Sequence, residues 1–112
     1  MAYRRACSVD DVWSGEIAGV IVEGVPVLLV RLEGELHAYE DRCAHQAVRL
    51  SEGRLARVDG VATLTCAAHG WTYDARTGCG INPPEARLRR LPLRVERGEI
   101  LVDTDGARAV DR

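Results

Sequence analysis

The stretch CAAHGWTYDARTGCGINPP, residues 66–84, sets a thiol and an imidazole three positions apart, then an aromatic pair, two glycines and two consecutive prolines. A second such pairing stands upstream. Cys43-Ala44-His45 precedes Cys66 by twenty intervening residues, so two cysteines and two histidines occupy two short boxes, each of mixed type. Each box closes a run of residues that reads as a strand. Two neighbouring loops at one end of a β structure would bring four donors together, a geometry that suits a metal.

Glycine punctuates the 112-residue chain at short intervals and leaves little room for helices. The intervening runs read as strands over 17–22, 25–32, 36–40, 61–66, 71–73, 91–96 and 100–102, with Cys7 in a first strand before them. Leu91, Leu93 and Val95 alternate with Pro92, Arg94 and Glu96, the period of a strand with one wet face. Glu23-Gly24, Glu33-Gly34, Asp59-Gly60, Thr77-Gly78 and Arg97-Gly98 mark hairpin connections. The pattern predicts an antiparallel all-β fold. One short helical turn is expected at 8–13, capped by Ser8, with Trp13 packing inward; the tail after Asp105 is expected to fray.

Composition narrows the functional classes. Fifteen Lys and Arg stand against 17 Asp and Glu, a formal charge of -2, so the basic face on which nucleic-acid binding rests is missing. Arg89, Arg90, Arg94 and Arg97 read as solvent-facing positions. The longest apolar run, Val25 to Val30, is far short of the roughly 20 residues a membrane helix needs, and the N-terminus has no signal-peptide pattern. A cytoplasmic protein of one domain is expected, in which four cysteines are ligands or free thiols rather than disulfides.

Ligand preference discriminates among metals. Structural zinc sites usually pair cysteine with cysteine and histidine with histidine. Here each box mixes the two. A binuclear centre with chemically distinct irons explains the mixing better, one iron taking a cysteine from each box and the other a histidine from each box, as in a Rieske [2Fe-2S] centre. A zinc-stabilised binding module without redox role is the alternative of another class; colour separates it from a brown-red iron-sulfur protein. A Cys-His nucleophile pair would need one thiol, one base and oxyanion donors, and it leaves the duplicate box unexplained.

At Cys43-x-His45, Cys66-x2-His69, Gly70 and Trp71 the sequence resembles the Rieske-type ferredoxins. The similarity runs through nearly the whole chain. Residues 7–16, His45-Gln46, Trp71-Thr72, Gly80 to Pro83 and Gly98 to Val102 are similar to the ferredoxin components of four-component di-iron monooxygenases of the toluene 4-monooxygenase type. The resemblance implies a single Rieske domain over 1–112, an antiparallel sandwich with a small cluster-binding subdomain of two hairpin loops at about 41–84. It implies one [2Fe-2S] cluster, with Cys43 and Cys66 on the inner iron, His45 and His69 on the outer, and residues 80–84 as a third loop closing over it. It also implies a monomeric electron carrier, not an enzyme, between an NADH-dependent flavin oxidoreductase and an oxygenase or hydroxylase component. Gln46, Trp71, Pro83 and Pro84 would flank the histidines on the docking tip. The ferredoxin of a ring-hydroxylating dioxygenase is the neighbouring alternative.

High-potential Rieske proteins of membrane complexes resemble this pattern but add a disulfide-joined cysteine to each box, at positions held here by Val48 and Ala68, and a serine where Trp71 stands. A potential at the lower end of the roughly -150 to +300 mV Rieske range follows. Tyr73 is a candidate hydroxyl donor to a cluster thiolate. Cys7 reads as a small buried hydrophobe, Cys79 as a bystander near the site, and His37 as a solvated or hydrogen-bonded strand residue with no box partner.

Overall fold

The computed structural model describes residues 3–43, 48–68 and 70–105. Four of the expected turns are tight reversals in which both central residues have positive φ: Glu23, Glu33, Asp59 and Arg97 lie at 51–54° and the following glycines at 75–86°. Those are the values of the hairpin turn whose twist matches the strands it joins. They connect β2 (Ile17–Val22) to β3 (Val25–Leu32), β3 to β4 (Glu35–Glu40), β5 (Arg54–Val58) to β6 (Val61–Thr65), and β10 (Leu93–Glu96) to β11 (Glu99–Asp103). The Thr77-Gly78 connection is longer, between β7 (Thr72–Asp74) and β8 (Gly80–Asn82).

Among the described residues, three antiparallel sheets result. β1 (Tyr3–Ser8) pairs with β11, which pairs with β10; β2, β3, β4 and the two-residue β9 (Arg90–Leu91) form the second sheet; β5 to β8 form the third. Because β4 pairs directly with β9, Ala38 against Leu91, everything between them in sequence is an excursion from the second sheet. That excursion carries both boxes. It is tied back to the base by packing around β3, whose alternate side chains serve two cores. Leu28, Val30 and Leu32 face a cluster with Cys43, Leu50, Leu64, Cys66 and Tyr73, while Val27 and Leu29 face Ile100 and Val102 of the three-stranded sheet. The continuous apolar run of β3 follows from burial on both faces.

Several expectations are corrected. The turn at Val9–Asp11 forms, with a capping box in which Ser8 accepts from Asp10 N–H and Asp11 accepts from Ser8 N–H. Trp13, however, is 69% exposed. Backbone at Val12 is extended, so consecutive side chains oppose one another; Val12 takes the inward position and the Trp13 indole turns back to donate to Asp10 O. The run 91–96 is two strands broken at Pro92, and Val95 is exposed. β5 and β8 were not expected. The tail beyond Asp105 lies outside the described residues. Among the described residues, no helix is long and apolar enough to cross a membrane.

Candidate metal centre

Cys43 follows the end of β4 and Cys66 the end of β6, and both thiols are buried to within 1%. Each cysteine sits at the neck of a tight loop. Cys43 N–H donates to Val48 O at 2.9 Å and Cys66 N–H to Trp71 O at 2.8 Å, so both loops close by the same five-residue step. In the second loop Gly70, at φ 73°, donates back to Cys66 O. Both thiols belong to one apolar cluster with Leu50, Leu64, Tyr73 and Ala75, against which Val48 and Trp71 pack. The Tyr73 hydroxyl lies 3.2 Å from Cys43 Sγ.

The third loop is held as tightly. Gly80 N–H donates to Ala86 O at 2.8 Å and Ala86 N–H to Pro83 O at 3.2 Å. A Cβ on Gly80 would stand 2.5 Å from Ala86 O, so only glycine fits. The Asn82–Pro83 peptide is cis. Pro83 is half-buried and Pro84 exposed, while Trp71 is half-buried. His45, Gln46 and His69 lie outside the described residues.

Cys7 is buried, and burial together with nearby Asp11 pushes its thiol pKa up. Cys79 is half-buried, 3.7 Å from an Arg87 nitrogen. His37 is 7% exposed, and its Nδ1 accepts from Arg90 at 2.7 Å. Burial and the Arg90 charge hold it below the usual imidazole range. Arg90 also donates to Arg76 O and to the Tyr39 hydroxyl. Tyr39 donates in turn to Ala75 O, its pKa pushed up to about 12 by burial. This network buttresses the β7–β8 connection from below.

Asp41 and Ser51 are residues of the site that the sequence pattern does not single out. Asp41 is 2% exposed and accepts from both the backbone N–H and the hydroxyl of Ser51. A carboxylate two residues before a ligand-type cysteine was the available signal.

The donor chemistry fits an iron-sulfur cluster. Two buried thiols at loop necks, a phenol aimed at one of them, and a dry apolar surround are what a thiolate-held iron requires. Comparison with known proteins agrees. The family model of the Rieske [2Fe-2S] domain matches residues 2–92.

The chain belongs to the Rieske [2Fe-2S] family.

The ferredoxin is 46% identical over 103 residues, 92% of this chain and 82% of the other, to the alkene monooxygenase ferredoxin component of Xanthobacter autotrophicus. It is 36% identical over 104 residues, 92% of this chain and 93% of the other, to the biphenyl dioxygenase ferredoxin subunit of a Pseudomonas species. A chain from the solved complex of reduced oxygenase and oxidised ferredoxin in carbazole 1,9a-dioxygenase superposes with a TM-score of 0.76 at 28% identity, covering 97% of both chains. The protein is therefore a Rieske ferredoxin with one [2Fe-2S] cluster, an electron-transfer component of an oxygenase system and not itself an enzyme. The cluster, when bound, accepts and releases one electron.

Proposed function

We propose that the ferredoxin carries single electrons from an NADH-dependent flavin oxidoreductase to the di-iron hydroxylase of an aromatic or alkene monooxygenase. The observation that carries this reading is the 46% identity, across nearly the whole chain, to an alkene monooxygenase ferredoxin, against 36% to a biphenyl dioxygenase ferredoxin. Cys43 and Cys66 hold the inner iron and His45 and His69 the outer. Support for the cysteines is their burial at equivalent loop necks; support for the histidines is their spacing in the sequence. Residues 1–112 form one Rieske domain whose cluster-binding part spans about 41–84, a reading favoured by the excursion between the paired strands β4 and β9. The protein is cytoplasmic and monomeric.

The docking tip comprises His45, Gln46, His69, Trp71, Pro83 and Pro84, a reading supported by the burial of both thiols and the exposure of Pro84. Such encounters are small and brief, so charge at their rim tunes the association rate more than apolar area does. A ring-hydroxylating dioxygenase partner is the second reading, favoured by the carbazole dioxygenase complex.

Reconstitution tests the assignment: reductase, this ferredoxin and a purified di-iron hydroxylase should turn over with NADH. Faster transfer to a dioxygenase than to every di-iron hydroxylase tried would reassign the partner. Charge reversals around the tip should slow reduction of the oxygenase while leaving the midpoint potential unchanged, and an unaltered rate across several such variants would move the docking surface elsewhere.

A further inference from the structure

The two cysteine loops are supported differently. Cys66 lies at the tip of a hairpin whose flanking strands pair up to the loop, Thr65 opposite Thr72, so the backbone ladder holds its neck. Among the described residues, no such ladder continues below the Cys43 N–H bond to Val48 O. β4 ends at Glu40, and beyond the loop the chain enters a single 3-10 turn at Leu50–Glu52 that pairs with no strand.

In place of a ladder stands one carboxylate. Asp41 Oδ1 accepts from Ser51 N–H at 2.7 Å and Oδ2 from the Ser51 hydroxyl at 2.5 Å, joining the two sides of the loop below Cys43. The Asp41 backbone N–H donates to Pro26 O at 2.9 Å, which anchors the same residue to the start of β3. β2 passes directly over the junction at Gly19, where a Cβ would come 2.5 Å from Ser51 Oγ and 3.1 Å from Asp41 Oδ2. Gly19 has an ordinary negative φ, so space and not conformation demands glycine there. An aspartate 2% exposed is retained only where its oxygens are satisfied, and here both are satisfied by one residue across the loop.

We propose that Asp41 is a positioning residue for the metal centre: its clamp on Ser51 substitutes for strand pairing and fixes Cys43 where the cluster needs a thiolate. The proposal rests on the reading of Cys43 as a ligand. Removing the carboxylate leaves the neck to the Cys43 N–H bond to Val48 O and leaves the part-buried Ser51 donors without their acceptor. Asparagine preserves the clamp, because its Oδ1 accepts from Ser51 N–H while its Nδ2 donates to Ser51 Oγ.

The test compares holo wild type, Asp41→Ala, Asp41→Asn and Ser51→Ala by iron and sulfide content, the rate of cluster loss followed by visible absorbance, and EPR of the reduced protein. Val102→Ala, in the core of the other sheet, serves as a control for general destabilisation. Asp41→Ala should lose its cluster roughly tenfold faster than wild type, with altered g-values, and faster than Val102→Ala. Asp41→Asn should stay within about twofold of wild type and keep its spectrum. Wild-type loss rates and spectra in Asp41→Ala, or loss no faster than in Val102→Ala, would overturn the clamp. Should Asp41→Ala fail to fold, Ser51→Ala decides: it removes only the hydroxyl and should accelerate loss by a smaller factor, and no acceleration would overturn the proposal. Wild-type protein devoid of iron and sulfide would instead sink the ligand assignment, and the clamp with it.

Discussion

Tyr73 brings its hydroxyl to 3.2 Å from Cys43 Sγ inside the apolar cluster. Donation to a thiolate withdraws charge from the site and favours the reduced, more negative state. Tyr73→Phe should therefore lower the midpoint potential by tens of millivolts, since about 1.4 kcal/mol corresponds to roughly 59 mV for one electron. Film voltammetry reads this directly, and an unchanged midpoint would remove the bond from the account. His37 gives a pH signature. Its folded pKa lies below the ordinary value of 6.5, so as pH falls past that value the unfolded chain takes up a proton that the folded one refuses. Stability should decline over that window and level off below the depressed native pKa. Denaturant titrations of wild type and His37→Gln between about pH 8 and pH 5 should converge on the acid side, and parallel curves would contradict the burial argument. Among the thiols, Cys7 should resist alkylation in the folded protein because it is buried and its pKa is raised, whereas half-buried Cys79 should react first. Mass spectrometry after brief labelling distinguishes the two.

At the scale of single elements, the four tight turns each place a charged residue in the left-handed region ahead of a glycine. Such a residue pays a steric cost that asparagine largely escapes. Glu23→Asn should raise stability by about 0.5–1 kcal/mol, and Gly24→Ala, at φ 81°, should lower it by at least as much. A thermal midpoint moving the opposite way in either variant would contradict the turn assignment. These turns were legible because dipeptides ending in glycine are local signals, and β2 and β3 have the limits their apolar runs predicted. β5 was not legible: Arg54-Leu55-Ala56-Arg57-Val58 is mostly exposed and is a strand because β6 pairs with it, not because of its own composition. Pro92 split an alternating run that sequence alone joined, and Trp13 was misplaced because the rule that large aromatics pack inward ignored the extended backbone at Val12. The metal boxes stood out because cysteine and histidine at short spacing carry their chemistry with them. The Asp41–Ser51 clamp did not, since it exists only once the loop has closed.

For the molecule as a whole, the division of labour follows from the two cores. The core between β3 and the three-stranded sheet supplies a rigid base, while the other folds around two buried thiols and leaves the third loop and Trp71 at the edge of the site. The four protein donors proposed for the centre would leave it no open coordination position, which suits electron exchange. In the proposed centre two irons are held by sulfur from Cys43 and Cys66 and by nitrogen from His45 and His69. Pulsed EPR of the dithionite-reduced wild-type protein should show a binuclear iron signal coupled to the ring nitrogens of two histidines; a signal without histidine nitrogen coupling, or no iron signal at all, would overturn this ligand set.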